Sequence, residues 1–282
     1  MTDRRCLCNE LRRLGTHLQV SDTGYLVDAD TIEIPEGIQI QFAYDRTNQP
    51  VLRSIIDLGH ADRHRLPHFM TTSQLLSIGT LALLEENNRA IERLVLVDCR
   101  FYGSTSSKAF HHVLHLMADE ARRLFEMDFE LQPEPNTVST GNLKRICSYI
   151  QHNLRVISIN AKVSIRHGRG KSLLSFRLGN GRSQTVLLSL KSVHGVGVVE
   201  LKSRCRIAST AATVRSALKR NLSSPCGGFA LDLTTDPPAV DLIQRLVAVD
   251  GEPDYTELLH NLSSIVHRAD AIEKTQSDID EF

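Results

Sequence analysis

The chain has 282 residues, of which 41% are hydrophobic and 23% charged, and its formal net charge is zero. This length suits two domains, the apolar content argues against global disorder, and the balanced charge argues against a uniformly basic nucleic-acid binder. The longest apolar stretch, 75–84, is far shorter than the roughly 20 residues that a membrane-spanning helix needs. The charged N-terminus lacks the apolar core of a secretion signal. The sequence therefore predicts a cytoplasmic protein with no membrane partner.

The two sides of a predicted linker repeat the same order of elements. The linker, 132–141, reads QPEPNTVSTG and combines two prolines with turn-forming residues. Before it, apolar spacing and turn signals predict a helix, three strands, a helix, a strand and a closing helix, at 3–14, 25–34, 38–44, 50–58, 73–91, 93–101 and 106–128. Thr71, Thr72 or Ser73 is predicted to cap the helix at 73–91.

After the linker, the same signals predict a helix, four strands, a helix that ends near 222, a strand pair and a closing helix. Their positions are 143–154, 156–166, 172–178, 183–190, 196–207, 210–222, 227–233, 240–249 and 254–273. Ser209 or Thr210 is predicted to cap the helix that ends near 222. A repeat offset of about 138 residues indicates a duplicated domain. The predicted fold class is α+β, with tandem domains at 1–131 and 142–274, each an antiparallel sheet covered by helices on one face, and a flexible acidic tail at 275–282.

Charge is segregated along the chain. Residues 1–135 carry a net charge of −6, residues 136–230 one of +15, and residues 231–282 one of −9. The acidic parts can neutralise the basic part within the fold or across a dimer, or the basic part can face an anionic partner.

The basic residues are predicted to lie largely on one face of the second sheet. In the strand at 196–207, Glu200, Lys202, Arg204 and Arg206 alternate with apolar residues, and this period of two predicts a face in solvent. Charge on such a face steers acidic partners. The predicted partner contacts are Lys162, Arg166, Lys202, Arg204 and Arg206.

The end of the second unit, 210–273, combines a helix, a strand that reads GGFALDL, a charged turn, a second strand and a long amphipathic helix. The corresponding part of the first unit is 75–129. This order resembles the type III secretion chaperone-like fold, and in particular the YbjN-like family. The resemblance covers most of both units and implies two tandem chaperone-like domains.

The resemblance also implies a function. Folds of this type are non-enzymatic binding modules, so it implies a protein-interaction or regulatory role without a cofactor. Secretion chaperones of this type bind extended partner segments and commonly dimerise, so a tandem pair implies a pseudo-dimer within one chain and allows a homodimer. The expected mechanism is burial of the partner's apolar side chains, with addition of a strand to a sheet edge.

No catalytic motif is complete, and the sequence predicts that the chain is not an enzyme. The segment HGRGKSLL at 167–174 ends like a phosphate loop, but Ile165 stands in the place of the first glycine and a strand follows instead of a helix. The six cysteines are dispersed and predict reduced thiols.

Two alternatives from other classes stay open. His111, His115 and Asp119 share a helix face at four-residue steps, and imidazole and carboxylate suit zinc, so the first is a metal-dependent enzyme. The second is nucleic-acid binding through the basic sheet of the second unit. Phe176, the main aromatic residue of that sheet, is predicted to point inward, which disfavours base stacking.

Overall fold

The structure is a computed structural model that describes most of the chain. The described residues are 4–21, 24–27, 37–44, 49–85, 92–129, 140–153, 162–168, 170–178, 181–205, 210–224 and 227–277. Most of the predicted linker and of the predicted tail, at 132–139 and 278–282, lies outside them. Within these ranges no helix is long and apolar enough to cross a membrane.

The described part of the first half is a six-stranded sheet with three helices and a 3-10 turn at Arg63–Arg65. Its helices are α1 (Arg4–Arg13), α2 (Leu66–Leu75) and α3 (Ser107–Glu126). Its strands are β1 (Leu18–Ser21), β2 (Gly24–Val27), β3 (Ile38–Tyr44), β4 (Pro50–His60), β5 (Thr80–Glu85) and β6 (Glu92–Phe101). The Ser106 hydroxyl caps α3 by accepting the N–H of Ala109 at 3.2 Å.

The described part of the second half has the same plan. Its helices are α4 (Thr140–Asn153), α5 (Ala211–Ser223) and α6 (Tyr255–Ser277). Its strands are β7 (Lys162–His167), β8 (Lys171–Arg177), β9 (Ser183–Val193), β10 (Val196–Cys205), β11 (Gly228–Asp232), β12 (Ala239–Val249) and β13 (Glu252–Pro253). Thr210 caps α5 as predicted. α4 begins at Thr140, so its first two residues overlap the end of the predicted linker.

Both sheets have the same strand order. The first runs β1-β2-β3-β4-β6-β5, and the second runs β7-β8-β9-β10-β12-β11 with β13 paired to β12. Every described strand pair is antiparallel. In each half one helix lies between the fourth and fifth strands and another follows the last. The predicted fold class, two tandem α+β units with antiparallel sheets, is confirmed.

One apolar core runs through both halves. The inner face of each sheet is the face toward the first and last helices of its own half, and the outer face is the opposite one. Leu52 and Leu96 on the inner face of the first sheet join Phe110 and Met117 of α3 in this core. The period of two in the strands and the helical stripe of buried residues in α3 thus meet at one surface.

The two halves pack reciprocally through their edge strands. α2 of the first half lies against β11 of the second, and α5 of the second half lies against β5 of the first. Leu222 of α5 packs on an apolar cluster at the outer face of the first sheet, formed by Ile55, Ala82, Val95 and Val97. Each half therefore covers the edge strand of the other, which removes two exposed sheet edges.

The helix predicted at 73–91 is wrong. α2 ends at Leu75 and β5 begins at Thr80, while 86–91 lies outside the described residues. The predicted cap at 71–73 lies inside α2, which instead begins with Pro67 in its first turn. Gly79 has a φ of 66°, and a right-handed helix cannot continue through that conformation. A dense apolar run fits a helix or a buried strand, and this backbone break decides for the strand.

Candidate functional site: the basic edge of the second sheet

Two of the predicted partner contacts are neutralised inside the fold. Lys202 Nζ lies 2.7 Å from Asp241 Oδ2, and Arg204 Nη2 lies 2.7 Å from Asp232 Oδ2. Both aspartates are buried: Asp241 lies on β12, next to β10, and Asp232 lies on β11, one strand further. The prediction that this part of the face is free for a partner is therefore wrong, because carboxylates of the acidic segment 231–282 already pair with it.

Glu200, which was expected in solvent with these two residues, is buried. Its carboxylate lies 2.9 Å from Lys191 Nζ and 3.0 Å from Arg245 Nε. Burial alone would raise the pKa of Glu200, but the charges of Arg245 and Lys191 hold it below its ordinary value.

Arg245 also explains why this face is not in solvent. Its guanidinium donates to the backbone carbonyls of Ser73 and Gln74 at 3.0 Å and of Gly79 at 2.9 Å. All three acceptors belong to the first half. The central part of the outer face of the second sheet is thus the surface on which α2 docks.

Arg166 is the predicted contact that the structure leaves exposed. Lys162 begins β7 opposite Arg177 of β8, and its side chain lies outside the described residues. Arg206 lies wholly outside them. Of the five predicted contacts, the structure thus brings together Lys202 and Arg204 in an internal ion-pair cluster and places Arg166 elsewhere, on β7.

We define the basic edge as β7 together with Lys171 and Arg177 of β8. β7 pairs with β8 on one side, and no described strand pairs with its other side. Arg166, Lys171 and Arg177 are exposed, and none of them forms an ion pair within the described part of the chain. Neither Lys171, which directly precedes the predicted strand at 172–178, nor Arg177, which lies within it, was among the predicted contacts.

The corresponding edge of the first sheet differs in charge. β1 reads LQVS and pairs with β2, and no other described strand pairs with it. Val20 on this strand is 79% exposed. The two open edges therefore have the same place in the fold, while cationic side chains surround only the basic edge.

The candidate metal ligands do not converge. The His111 and His115 rings lie 4.5 Å apart, His111 Nδ1 is 2.9 Å from Thr16 Oγ1, and Asp119 accepts from Arg122 at 2.6 Å. Asp119 lies about 12 Å along the α3 axis from His111, at 1.5 Å per residue. Among the described residues no three His, Cys, Asp or Glu side chains are placed to hold a metal ion. The predicted ligand set is therefore wrong, because its end members are two helical turns apart.

The aromatic platform that single-stranded nucleic acid needs is missing from the described part of the basic edge. Phe176 is fully buried, as predicted, and packs in the core. The side chains around Arg166 on β7 and β8 are serine, leucine, isoleucine, lysine and arginine, together with His167, whose Nδ1 lies 3.0 Å from Ser172 Oγ. This imidazole is the only exposed ring on the described β7 and β8, and one ring does not form a platform for successive bases.

Glu92 joins the two halves by charge. This buried carboxylate on β6 accepts from Arg215 of α5 at 2.6 Å and lies 3.5 Å from Lys219. Burial alone would raise the pKa of Glu92, but the hydrogen bond and charge of Arg215 lower it. A carboxyl group whose pKa is lower in the folded state stabilises the fold above its unfolded pKa and loses that contribution as the pH falls.

We therefore expect Glu92→Gln to lower the free energy of unfolding most at pH 7 and progressively less below about pH 4.5. The variant keeps the shape of the side chain and removes its charge. Urea unfolding of both proteins between pH 7 and pH 3 measures the difference. Glu85→Gln is the matched control, because Glu85 also meets Lys219 but is exposed, and its loss is expected to stay below about 0.5 kcal/mol. A constant Glu92→Gln deficit at every pH contradicts the charge assignment.

Comparison with known proteins identifies no relative: no family model matches the chain, and no curated protein or solved structure matches it.

Proposed function

We propose that the chain is a non-enzymatic protein-interaction module that binds an extended, acidic segment of a partner protein along the basic edge. The observation that supports this most directly is an open edge strand, β7, beside three exposed cations without acidic partners in the described chain. An open edge offers a row of backbone donors and acceptors to an added strand. Exposed cations at that edge favour a strand with acidic side chains.

The register of β7 and β8 indicates which residues of a bound strand would face the cations. Arg166 of β7 lies opposite Leu173 of β8, and Lys162 opposite Arg177, so these positions share the outer face. Because successive side chains of a strand alternate between faces, every second residue of an added strand meets this outer face. The proposed ligand therefore alternates acidic residues, which meet the cations, with apolar residues toward the inner face.

The shared topology supports the family proposal. The two units have the same strand order, and the helices α2 and α5 each pack against the edge strand of the other unit. This arrangement fits the expectation of a tandem secretion-chaperone-like or YbjN-like protein that forms a pseudo-dimer within one chain. We propose this membership together with a cytoplasmic location.

We expect the full chain to bind a fluorescein-labelled peptide that alternates valine with glutamate, and to bind it about tenfold more weakly after Arg166→Glu and Arg177→Glu. Each substitution replaces a favourable surface pair, worth up to about 1 kcal/mol, by repulsion. Fluorescence anisotropy at two salt concentrations measures the affinity. Arg13→Glu is the control, because Arg13 is an exposed cation on α1 in the first half.

Three further probes separate the mechanisms. A peptide with lysine in place of glutamate is expected not to bind. A glutamate peptide with alternate backbone nitrogens methylated is expected to lose binding, since it cannot form the ladder. A single-stranded oligonucleotide that binds more tightly than the glutamate peptide, with Arg166→Glu and Arg177→Glu abolishing it, would replace this proposal with nucleic-acid binding. Equal binding of the methylated and unmethylated peptides would exclude strand addition.

A further inference from the structure

The elements where the two halves meet correspond residue by residue. The offset between equivalent positions is 148, the difference between 221 and 73, and it holds for Ser73 and Asn221, Gly79 and Gly227, Thr80 and Gly228, and Leu81 and Phe229. It exceeds the offset of 139 between Cys8 and Cys147, the buried cysteines of α1 and α4.

Two independent features support this correspondence, and the first is a hydrogen bond in each half. Ser73 Oγ accepts the N–H of Leu81 at 3.0 Å, and Asn221 Oδ1 accepts the N–H of Phe229 at 2.6 Å. Each bond ties the helix to the edge strand of its own half.

The second feature is the glycine that precedes each edge strand. Gly79 and Gly227 have φ values of 66° and 69°. A Cβ on them would lie 2.9 Å from the carbonyl oxygen of Val97 and 2.5 Å from that of Ile243, respectively. Both halves thus need glycine at this place, for the same reason.

Thr80 and Gly228, which follow these glycines, face each other across the two halves. A Cβ on Gly228 would lie 2.6 Å from Thr80 Oγ1 and 2.7 Å from Thr80 Cβ. Equivalent positions that contact each other lie on the approximate two-fold axis between the halves, as in an isologous dimer. The φ of Gly228 lies outside the left-handed range, so the space taken by Thr80, and not the backbone, excludes a side chain there.

The contact between Thr80 and Gly228 contains one side chain, that of Thr80. A symmetric dimer would have a side chain from both copies at this place, or from neither. Two copies of the first half would place threonine against threonine, and two copies of the second half would leave a gap between glycines. The flanking contacts are equally one-sided. The Asn221 side chain reaches across to the carbonyl of Leu81 at 2.8 Å, whereas the described bonds of the Ser73 hydroxyl stay in its own half.

The hydrogen bonds that Arg245 donates to the first half also have no counterpart at the equivalent position of the first half. Thr80 pairs with Val97 and Gly228 with Ile243, so the position equivalent to Arg245 is Cys99, two residues after Val97. A thiol cannot provide the several N–H donors of a guanidinium.

We propose that the two halves have become a complementary pair, in which Thr80 fills the space opposite Gly228, and that each half selects the other and rejects a second copy of itself. The β5 and β11 edges are then an internal interface and not a site of homodimer formation. A partner for this surface is the opposite half of the same chain.

A four-member cycle in the full chain tests the proposal: wild type, Gly228→Thr, Thr80→Gly, and both together. We expect Gly228→Thr to lower the urea midpoint strongly, Thr80→Gly to lower it less, and the double variant to recover more than half of the Gly228→Thr loss, because it moves the side chain to the other side of the axis. Far-UV circular dichroism follows unfolding. Gly168→Thr is the control, since a Cβ there meets only Lys171 O, at an ordinary 3.6 Å.

The stability of the double variant distinguishes complementarity between Thr80 and Gly228 from independent effects of the two substitutions. If Gly228→Thr does not fold and the double variant does, the proposal is supported. If the double variant is as unstable as the sum of the two single changes, or if Gly228→Thr leaves the midpoint unchanged, complementarity at the axis is overturned.

Discussion

Replacing Arg100 by methionine is expected to lower the free energy of unfolding by about 3–5 kcal/mol at pH 7, because it leaves buried carboxylates without their counter-charge. Arg100 lies on β6 and is 0% exposed. Its guanidinium contacts Asp98 at 2.6 Å and Glu257 at 3.0 Å, and donates to the backbone carbonyl of Arg245 at 2.7 Å. Glu257 and Arg245 belong to the second half, so this one cation holds both halves. Urea unfolding measures the loss.

The pH dependence of this loss has a definite sign. Burial raises the pKa of Glu257, and the charge of Arg100 only partly opposes that rise. Without Arg100, protonation removes the unpaired charge more easily, so the deficit of Arg100→Met is expected to shrink as the pH falls from 7 to 5. The triple variant with Asp98→Asn and Glu257→Gln is expected to recover part of the stability at pH 7.

A partly exposed ion pair is the control for Arg100. Arg93 lies 2.6 Å from Asp57, and both side chains are about a quarter exposed. Arg93→Met is expected to cost less than about 1 kcal/mol. Arg100→Met with a loss as small as that of Arg93→Met, or a deficit that grows on acidification, contradicts the assignment.

Asn221→Ala is expected to lower the free energy of unfolding by about 2–4 kcal/mol, because several buried backbone groups lose their partners. The Asn221 amide donates to the carbonyls of Leu81 at 2.8 Å and Phe229 at 3.1 Å, and accepts the N–H of Phe229 at 2.6 Å. It therefore replaces, for two edge strands at once, the neighbour strand that each lacks. Hydrogen exchange at the Phe229 amide, together with urea unfolding, measures the effect.

Ser73→Ala is the matched comparison, since Ser73 is the equivalent residue in the first half and also is buried. Its hydroxyl accepts the N–H of Leu81 and donates to the carbonyl of Phe69, both in its own half. We expect a smaller loss than for Asn221→Ala, with faster exchange at Leu81 and unchanged exchange at Phe229. Equal losses would show that the contacts of Asn221 across the halves add no stability.

Most of the fold could be predicted from the sequence because long elements carry their own pattern. The stripe of α3 and the alternation of β3 each repeat several times, and both were placed within about two residues, as is usual for element ends. The segment 73–91 lacked such a pattern. The apolar residues of its described part, 73–85, belong to the end of a short helix, a turn with Gly79 and a buried edge strand, and an apolar run alone does not separate these.

The candidate site was predicted less well, because alternation along a strand shows which residues share a face of the sheet but not which residues pack on that face. Alternation correctly put Lys202 and Arg204 opposite the inner-face residues of β10. It could not show that Asp241 of the adjacent strand β12 and Asp232 of β11, one strand further, pair with them, since those contacts join distant parts of the chain. Arg166 was predicted from the same kind of pattern, and it stays exposed because β7 lies at the end of the sheet, far from β11 and β12.

The reciprocal covering of β5 and β11 has a consequence for synthesis. On the ribosome, the outer face of the first sheet emerges long before Leu222, so Ile55, Val95 and Val97 stay in water while α4 and the strands β7 to β10 are translated. A nascent chain with such a surface is prone to aggregate. We therefore expect the yield of folded protein to depend on how quickly α5 follows and covers this surface.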